Sequence, residues 1–217
     1  MTFNLLPLIT QVPLTTLVPE WFYLFSGLIY LVAFGISIFV RYFSHRLFRI
    51  TSSKSHSLLS MSFLLIAFGF AILSAASIFT YQQSASLTSG IFNLNTDAYN
   101  VYYILTLIAY LFLVMINLPK KDDKLYLLVP LWFTSSSQFH LVALMFLIYI
   151  SARTVFNFFK VKSEDAFLVM LAFLMITLFH VFLLLIPFGV ELYLAAHIFL
   201  VVGFISLLAM LIRVTRK

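Results

Sequence analysis

The sequence contains no cysteine and very little charge. Among its 217 residues only 9% are Asp, Glu, Lys or Arg, whereas 63% are hydrophobic. Without cysteine the chain has no disulfide, no thiolate metal ligand and no thiol nucleophile. A soluble domain carries about 25% charged residues, so the scarcity of charge excludes an aqueous fold and indicates a membrane protein.

Catalytic motifs are missing as well. The sequence has no GxSxG, no glycine-rich phosphate loop, no HExxH and no pair of carboxylates inside an apolar run. Serine hydrolases, nucleotide hydrolases and carboxylate proton relays therefore lack the residues that they need. The sequence leaves enzymatic activity uncertain and favours its absence.

Long apolar runs make up most of the chain. A helix needs about 20 apolar residues to cross a hydrocarbon core of about 30 Å, and the runs are continuous instead of alternating as in an outer-membrane barrel. The sequence therefore predicts an all-α, polytopic transmembrane bundle that forms a single integral membrane domain over residues 1–217. The predicted spans are residues 18–40, 58–80, 99–117, 121–134, 137–159, 166–186 and 190–212.

The stretch 125–150 decides the number of spans and their orientation. If it is a hairpin, the chain has seven spans and all 13 Lys and Arg residues lie on one side. If it is one long helix, the last six of them move to the other side. Because cytoplasmic loops carry the excess of Lys and Arg, we predict seven spans with the N-terminus outside and the C-terminus inside.

The fourth predicted span, residues 121–134, is short for the hydrocarbon core. Either the bilayer thins around it, or the polar turn 134–138 lies below the outer surface, where protein or a water-filled cavity must surround it. The formal charge of +6 orients the chain in the lipid bilayer. We therefore expect no nucleic-acid partner.

Three histidines, His140, His180 and His197, lie inside apolar runs. Ionisable side chains at membrane depth are costly, so each is a candidate site residue. The helix rise places His180 about 10 Å, His197 about 9 Å and His140 about 5 Å from the nearest outer turn. We expect their side chains to approach one another in a cavity that faces outward.

Neighbouring polar residues extend this predicted cavity. Thr177 and Tyr193 lie one helical turn before His180 and His197, where each offers a hydrogen-bond partner. Ser136 and Gln138 come from the turn that precedes His140. The predicted ligand cavity consists of Ser136, Gln138, His140, Thr177, His180, Tyr193 and His197.

Two interpretations of the histidines remain open. Three imidazoles with an open position form a catalytic zinc site and also suit copper or iron, and two can hold a haem. His140, His180 and His197 are therefore candidate metal ligands, with a metal ion or haem as the cofactor. The favoured interpretation is structural or ligand-contacting, because intramembrane histidines often only bond across helices.

The sequence favours a non-catalytic module of the cell membrane, either a sensor or a subunit of a complex with other membrane proteins. A histidine-liganded metal or haem protein is the first alternative. A small-solute transporter or channel is the second. The inner halves of the third, fifth and sixth spans are almost wholly apolar, which is unfavourable for a conducting path.

Overall fold

A computed structural model describes residues 21–83, 89–118, 136–189 and 191–215, with only the backbone described for 89–95 and 215. These residues form six α-helices and a short 3₁₀ turn, Ile186–Phe188. The helices are α1 Trp21–Thr51, α2 Lys54–Gln83, α3 Ser89–Asn117, α4 Ser136–Val161, α5 Glu164–Leu184 and α6 Glu191–Thr215. All six are long and apolar enough to cross a membrane. The predicted all-helical fold is therefore confirmed for these residues, and the six apolar helices agree with a multi-pass membrane protein.

Six of the predicted spans overlap these six helices. The short span predicted at 121–134 lies outside the described residues. The seventh crossing and the single domain over 1–217 stay predictions.

The six helices form a closed ring in chain order, because each packs against its neighbours in sequence and α1 packs against α6. At the start of α4, the Tyr103 hydroxyl donates to Ser136 Oγ at 2.8 Å. At the end of α3, the Tyr149 hydroxyl donates to the Asn117 carbonyl at 3.1 Å. Helices α3 and α4 therefore run in the same direction.

The two ends of this ring differ in charge. We call the end where α1, α3, α4 and α6 begin the N-terminal end, and the opposite one the basic end. Every described Lys and Arg lies in the half of its helix, or in the turn, nearer the basic end: Arg41, Arg46, Arg49, Lys54, Arg153, Lys160, Lys162 and Arg213. Arg213 forms ion pairs there with Glu164 and Asp165, which join the end of α6 to the start of α5.

Helices α1–α2 and α4–α5 are an internal repeat with an offset of 110 residues. Ser52 and Lys162 occupy equivalent turns and both have positive φ angles, of 52° and 49°. Seven of the eight residues buried in α4 correspond to buried residues of α1, and five of the six buried in α5 correspond to buried residues of α2. The two hairpins therefore use the same faces for packing.

The sequence carries a faint trace of the same repeat. The offset of 110 aligns Leu31-Val32-Ala33 with Leu141-Val142-Ala143, and Phe63-Leu64 with Phe173-Leu174. The third helices correspond with an offset of 94, which aligns the buried residues Tyr103, Thr106 and Tyr110 with His197, Leu200 and Phe204. Helices α1–α3 and α4–α6 are thus two equivalent halves that run in the same direction.

Candidate functional site

A small cavity lies between the two halves, and we call it the axial cavity. It has a volume of about 10 Å³, which is about the smallest that holds one water molecule. Most of its lining consists of repeat-related pairs, completed by Phe70 and Leu113: Phe63 with Phe173, Ile66 with Ile176, Thr106 with Leu200, and Tyr110 with Phe204. The cavity therefore lies where a two-fold axis between the halves would pass.

One half contributes polar groups to this cavity. Thr106 Oγ1 is the one fully buried side-chain N or O atom in the described part of the chain that makes no hydrogen bond of good geometry, although the Tyr102 hydroxyl lies near it. Its counterpart in the other half is Leu200, and the counterpart of Tyr110 is Phe204. An unpaired buried hydroxyl costs about 1–3 kcal/mol, so Thr106 marks a place where a polar partner would be stabilising.

A hydrogen-bonded chain leads from the axial cavity towards the N-terminal end. Tyr110 Oη lies 3.0 Å from His180 Nε2, and His180 Nδ1 lies 2.9 Å from His140 Nδ1. His180 is fully buried, whereas His140 retains 6% of its surface. The chain Tyr110–His180–His140 thus links three helices, and its two end residues retain a small exposed fraction, 5% for Tyr110 and 6% for His140.

The chain has a preferred proton arrangement. The Tyr110 hydroxyl carries one proton, and its hydrogen-bond partner among the described residues is His180 Nε2. If Tyr110 donates, then His180 must carry its proton on Nδ1 and donate it to His140 Nδ1. His140 then carries its own proton on Nε2. The opposite arrangement is equally continuous, because each imidazole can exchange its two tautomers.

His197 has different surroundings and a fixed tautomer. Its Nδ1 lies 2.8 Å from the backbone carbonyl of Tyr193, and since a carbonyl only accepts, this nitrogen must carry the proton. Its Nε2 therefore accepts from the Tyr30 hydroxyl at 2.9 Å. Both ring nitrogens are satisfied, so His197 packs α6 against α1 as a structural group.

The repeat also identifies the residues equivalent to the Tyr110–His180–His140 chain, which joins α3 of one half to α4 and α5 of the other. The equivalent residues are Phe204, Phe70 and Tyr30. Tyr30 stacks on Phe70 at 5.8 Å between ring centroids, and Phe70 meets Phe204 edge-on at 5.4 Å. The corresponding distances are 5.1 Å for His140–His180 and 5.8 Å for His180–Tyr110. The same aromatic arrangement is therefore built once almost without polar atoms and once with a continuous hydrogen-bonded chain.

The predicted cavity residues divide into three groups. Ser136 and Gln138 lie at the start of α4, at the N-terminal end of the bundle. Ser136 Oγ accepts a hydrogen bond from the Tyr103 hydroxyl, and Gln138 is exposed. The Thr177 hydroxyl donates to the Phe173 carbonyl and accepts from Ser151, so it is engaged away from His180. Tyr193 bonds to His197 through its carbonyl instead of its hydroxyl. The structure brings together His140, His180 and Ser136, and leaves His197 and Tyr193 in a separate site.

The predicted three-histidine metal site is not assembled by the described residues. No group of three or more His, Cys, Asp or Glu side chains in these parts of the chain could hold a metal ion, whereas catalytic zinc uses three protein ligands. An axially bound iron would also separate two imidazole nitrogens by about 4 Å, twice a metal–nitrogen bond of about 2.0 Å. The 2.9 Å between the Nδ1 atoms of His140 and His180 is too short for that.

Sequence reasoning missed Tyr30, Tyr103, Tyr110 and Thr106. Two signals were available, because Tyr30 and Tyr110 lie deep within apolar runs and a buried tyrosine hydroxyl usually has a hydrogen-bond partner. A deep tyrosine therefore predicts a polar group on a facing helix. No signal in the sequence distinguishes Thr106 from other intramembrane threonines.

The chain matches no protein family, no curated protein and no solved structure.

Proposed function

We propose that the protein is a non-catalytic, seven-span sensor module of the cell membrane, which binds a small polar ligand at its outer end and passes the signal to partner subunits. The N-terminal end faces outside and the basic end faces the cytoplasm. The ligand contacts Ser136 and also His140, the end residue of the Tyr110–His180–His140 chain that lies nearer the N-terminal end of the bundle.

One observation carries this proposal: at two equivalent positions, one half has Tyr30 and Phe70 where the other has His140 and His180. All four side chains are buried, so aromatic residues without an imidazole are sufficient for the packing at these two positions. Burying polar groups in a membrane is unfavourable unless they are paired. A histidine pair that packing does not require is therefore best explained by binding.

The direction of α3 and α4 supports the seventh span. Leu118 follows α3 at the basic end, whereas Ser136 starts α4 at the N-terminal end. The rise of α3 from Tyr103 to Asn117 is about 21 Å at about 1.5 Å per residue. The 17 residues between Leu118 and Ser136, 119–135, must span at least this distance. One helix of 17 residues is long enough to do so. A crossing there also keeps Lys120, Lys121 and Lys124 on the side of the other basic residues, as the positive-inside rule requires.

Thiol labelling tests this topology, because the native chain has no cysteine. A membrane-impermeant reagent on intact cells should label Ser137→Cys, which is exposed at the start of α4. Lys121→Cys and Lys124→Cys should react only after permeabilisation, and Lys162→Cys serves as the cytoplasmic control. Reaction of Ser137→Cys only after permeabilisation would contradict the orientation, and reaction of Ser137→Cys and Lys121→Cys from the same side would contradict the seventh span.

The role as a subunit makes a separate expectation. A sensor that is non-catalytic needs a partner to transmit its signal, so the protein extracted from its own membrane in nanodiscs should have a mass well above its 24.9 kDa. Native mass spectrometry measures this directly. A particle that contains only one copy of this chain would contradict the subunit role and leave the topology untouched.

A small-solute transporter is the second candidate, and the internal repeat favours it. Transporters are often built from repeats, some related by an axis along the membrane normal, with the substrate site near mid-membrane at their interface. The axial cavity lies between two such halves. Its volume of about 10 Å³ has room for no solute larger than water, so transport would require the halves to open.

Accessibility of the axial cavity distinguishes the two candidates without knowledge of the ligand. A small thiol reagent applied from the cytoplasmic side should never reach Thr106→Cys if the protein is a sensor, because every residue that lines the cavity is buried. Lys162→Cys, labelled from the same side, is the positive control. Reaction of Thr106→Cys from the cytoplasmic side would favour alternating access and overturn the sensor proposal.

A further inference from the structure

The axial cavity and the Tyr110–His180–His140 chain share one residue, because Tyr110 lines the cavity and its hydroxyl bonds to His180. Thr106, whose buried hydroxyl makes no hydrogen bond of good geometry among the described residues, lines the same cavity. A bound water needs a polar site with about two to four partners, and Tyr110 and Thr106 supply two. The chain therefore begins at a place suited to one water molecule.

We propose that Tyr110, His180 and His140 form a proton relay between a water-binding site in the axial cavity and the N-terminal end of the bundle. The inference rests on the contacts of these residues and does not depend on the proposed sensor role. Its ligands are a water molecule in the cavity and a water molecule beside His140.

One transfer through the relay is balanced. A protonated water in the cavity gives a proton to Tyr110 Oη while the Tyr110 proton passes to His180 Nε2. The Nδ1 proton of His180 passes to His140 Nδ1, and the Nε2 proton of His140 leaves to the water at the N-terminal end. One proton enters and one leaves, and none of the three residues changes its charge.

The transfer reverses both imidazole tautomers. Afterwards His140 donates from Nδ1 to His180, and His180 donates from Nε2 to Tyr110, whose hydroxyl then turns into the cavity. The Thr106 hydroxyl, or the water bonded to it, is the acceptor available there. This explains why a hydroxyl without a partner lies beside Tyr110: it has a partner in one of the two states of the relay.

The third intramembrane histidine, His197, provides an internal control. Tyr30 bonds to His197, but Nδ1 of His197 is held by the Tyr193 carbonyl. Since a carbonyl cannot give a proton back, His197 cannot pass protons from one nitrogen to the other. His180 and His197 are both fully buried, yet only His180 belongs to a chain that can transfer protons.

Hydrogen–deuterium exchange of the imidazole protons tests the relay. Protein labelled with nitrogen-15 histidine is transferred to D₂O in nanodiscs, and the loss of each N–H signal is followed by NMR. The His180 proton should exchange at least about tenfold faster than the His197 proton, although both are buried, because only the relay supplies a route that needs no opening of the bundle. Equal rates at both histidines would overturn the proposal.

Two variants locate the route. Tyr110→Phe interrupts the chain at the cavity and should slow His180 exchange about tenfold or more, whereas Tyr30→Phe, which removes the hydroxyl bonded to His197, should leave it unaltered. Should Tyr110→Phe fail to fold, Thr106→Val keeps the side-chain shape, removes the hydroxyl and should slow exchange in the same direction. Unchanged exchange at His180 in either relay variant would overturn the relay.

Discussion

The two halves of the molecule solve the same packing problem with different chemistry. In α1–α2, Tyr30 and Phe70 stack at 5.8 Å. In α4–α5, His140 and His180 occupy the equivalent positions and bond to each other at 2.9 Å. Because burial and helix directions agree, the difference between the halves separates what the bundle needs for packing from what it contains in addition. The additional element is the polar chain from His140 to the axial cavity.

The largest expected effect on stability comes from removing the imidazole of His180, the central residue of that chain. His180→Ala removes a fully buried ring and leaves both Tyr110 and His140 without their partner, so we expect a loss of about 3–5 kcal/mol in the free energy of unfolding. Reversible unfolding in mixed micelles measures it. Ile198→Ala, on the exposed face of α6, is the control, and an equally small loss in both variants would contradict the packing described for His180.

A second comparison concerns the tyrosine hydroxyl that each fully buried histidine contacts. Tyr30→Phe leaves Nε2 of His197 unpaired, and Tyr110→Phe leaves Nε2 of His180 unpaired. We expect each change to lower the free energy of unfolding by about 1–3 kcal/mol. Unfolding of the two variants under the same conditions measures both losses, and an unchanged stability for Tyr110→Phe would show that a water molecule replaces its hydroxyl.

Energetic coupling between substitutions should distinguish the His140–His180 pair from the His140–His197 pair. In a double-mutant cycle, alanine substitutions of His140 and His180 should couple by about 1–2 kcal/mol, because the two share a hydrogen bond. His140 and His197 share none, so their substitutions should add to within about 0.5 kcal/mol. Comparable coupling in both cycles would mean that all three histidines form one unit, as the sequence predicts.

The smallest expected effect on stability comes from copying one half into the other. The variant His140→Tyr/His180→Phe/Tyr110→Phe reproduces the Tyr30, Phe70 and Phe204 arrangement and removes polar partners together with their neighbours. Replacing both members of a hydrogen bond by apolar groups of similar shape is nearly neutral, so its stability should lie within about 1.5 kcal/mol of wild type. A collapse in stability would show that the second half depends on its histidines for packing.

The helices could be predicted from the sequence because length and hydrophobicity determine them almost alone. Helix rise also predicts that His140 and His180 lie at a similar level, and their Nδ1 atoms are 2.9 Å apart. Which histidines meet depends on rotation about each helix axis, and apolar runs without a polar face leave that undetermined. His197 accordingly joined Tyr30 on α1, and Thr177 joined Ser151.

The internal repeat escaped sequence reasoning for a related reason. Lipid accepts any apolar side chain on the outer face, so few residues are identical between the two halves, and what the halves share most clearly is which positions are buried. Burial is known only after folding. The repeat then identifies Tyr30 and Phe70 as the counterparts of His140 and His180, a comparison that the sequence alone did not provide.

The nitrogen-15 spectrum of the wild-type histidines tests the central claim most directly. The account predicts that His180 and His197 carry their protons on Nδ1, that His140 carries its proton on Nε2, and that a coupling across the hydrogen bond joins Nδ1 of His180 to Nδ1 of His140. If His140 and His180 both carry their protons on Nε2 and show no coupling, the two imidazoles do not form a chain. His140 and His180 then only fill the same packing positions in α4–α5 that Tyr30 and Phe70 fill in α1–α2.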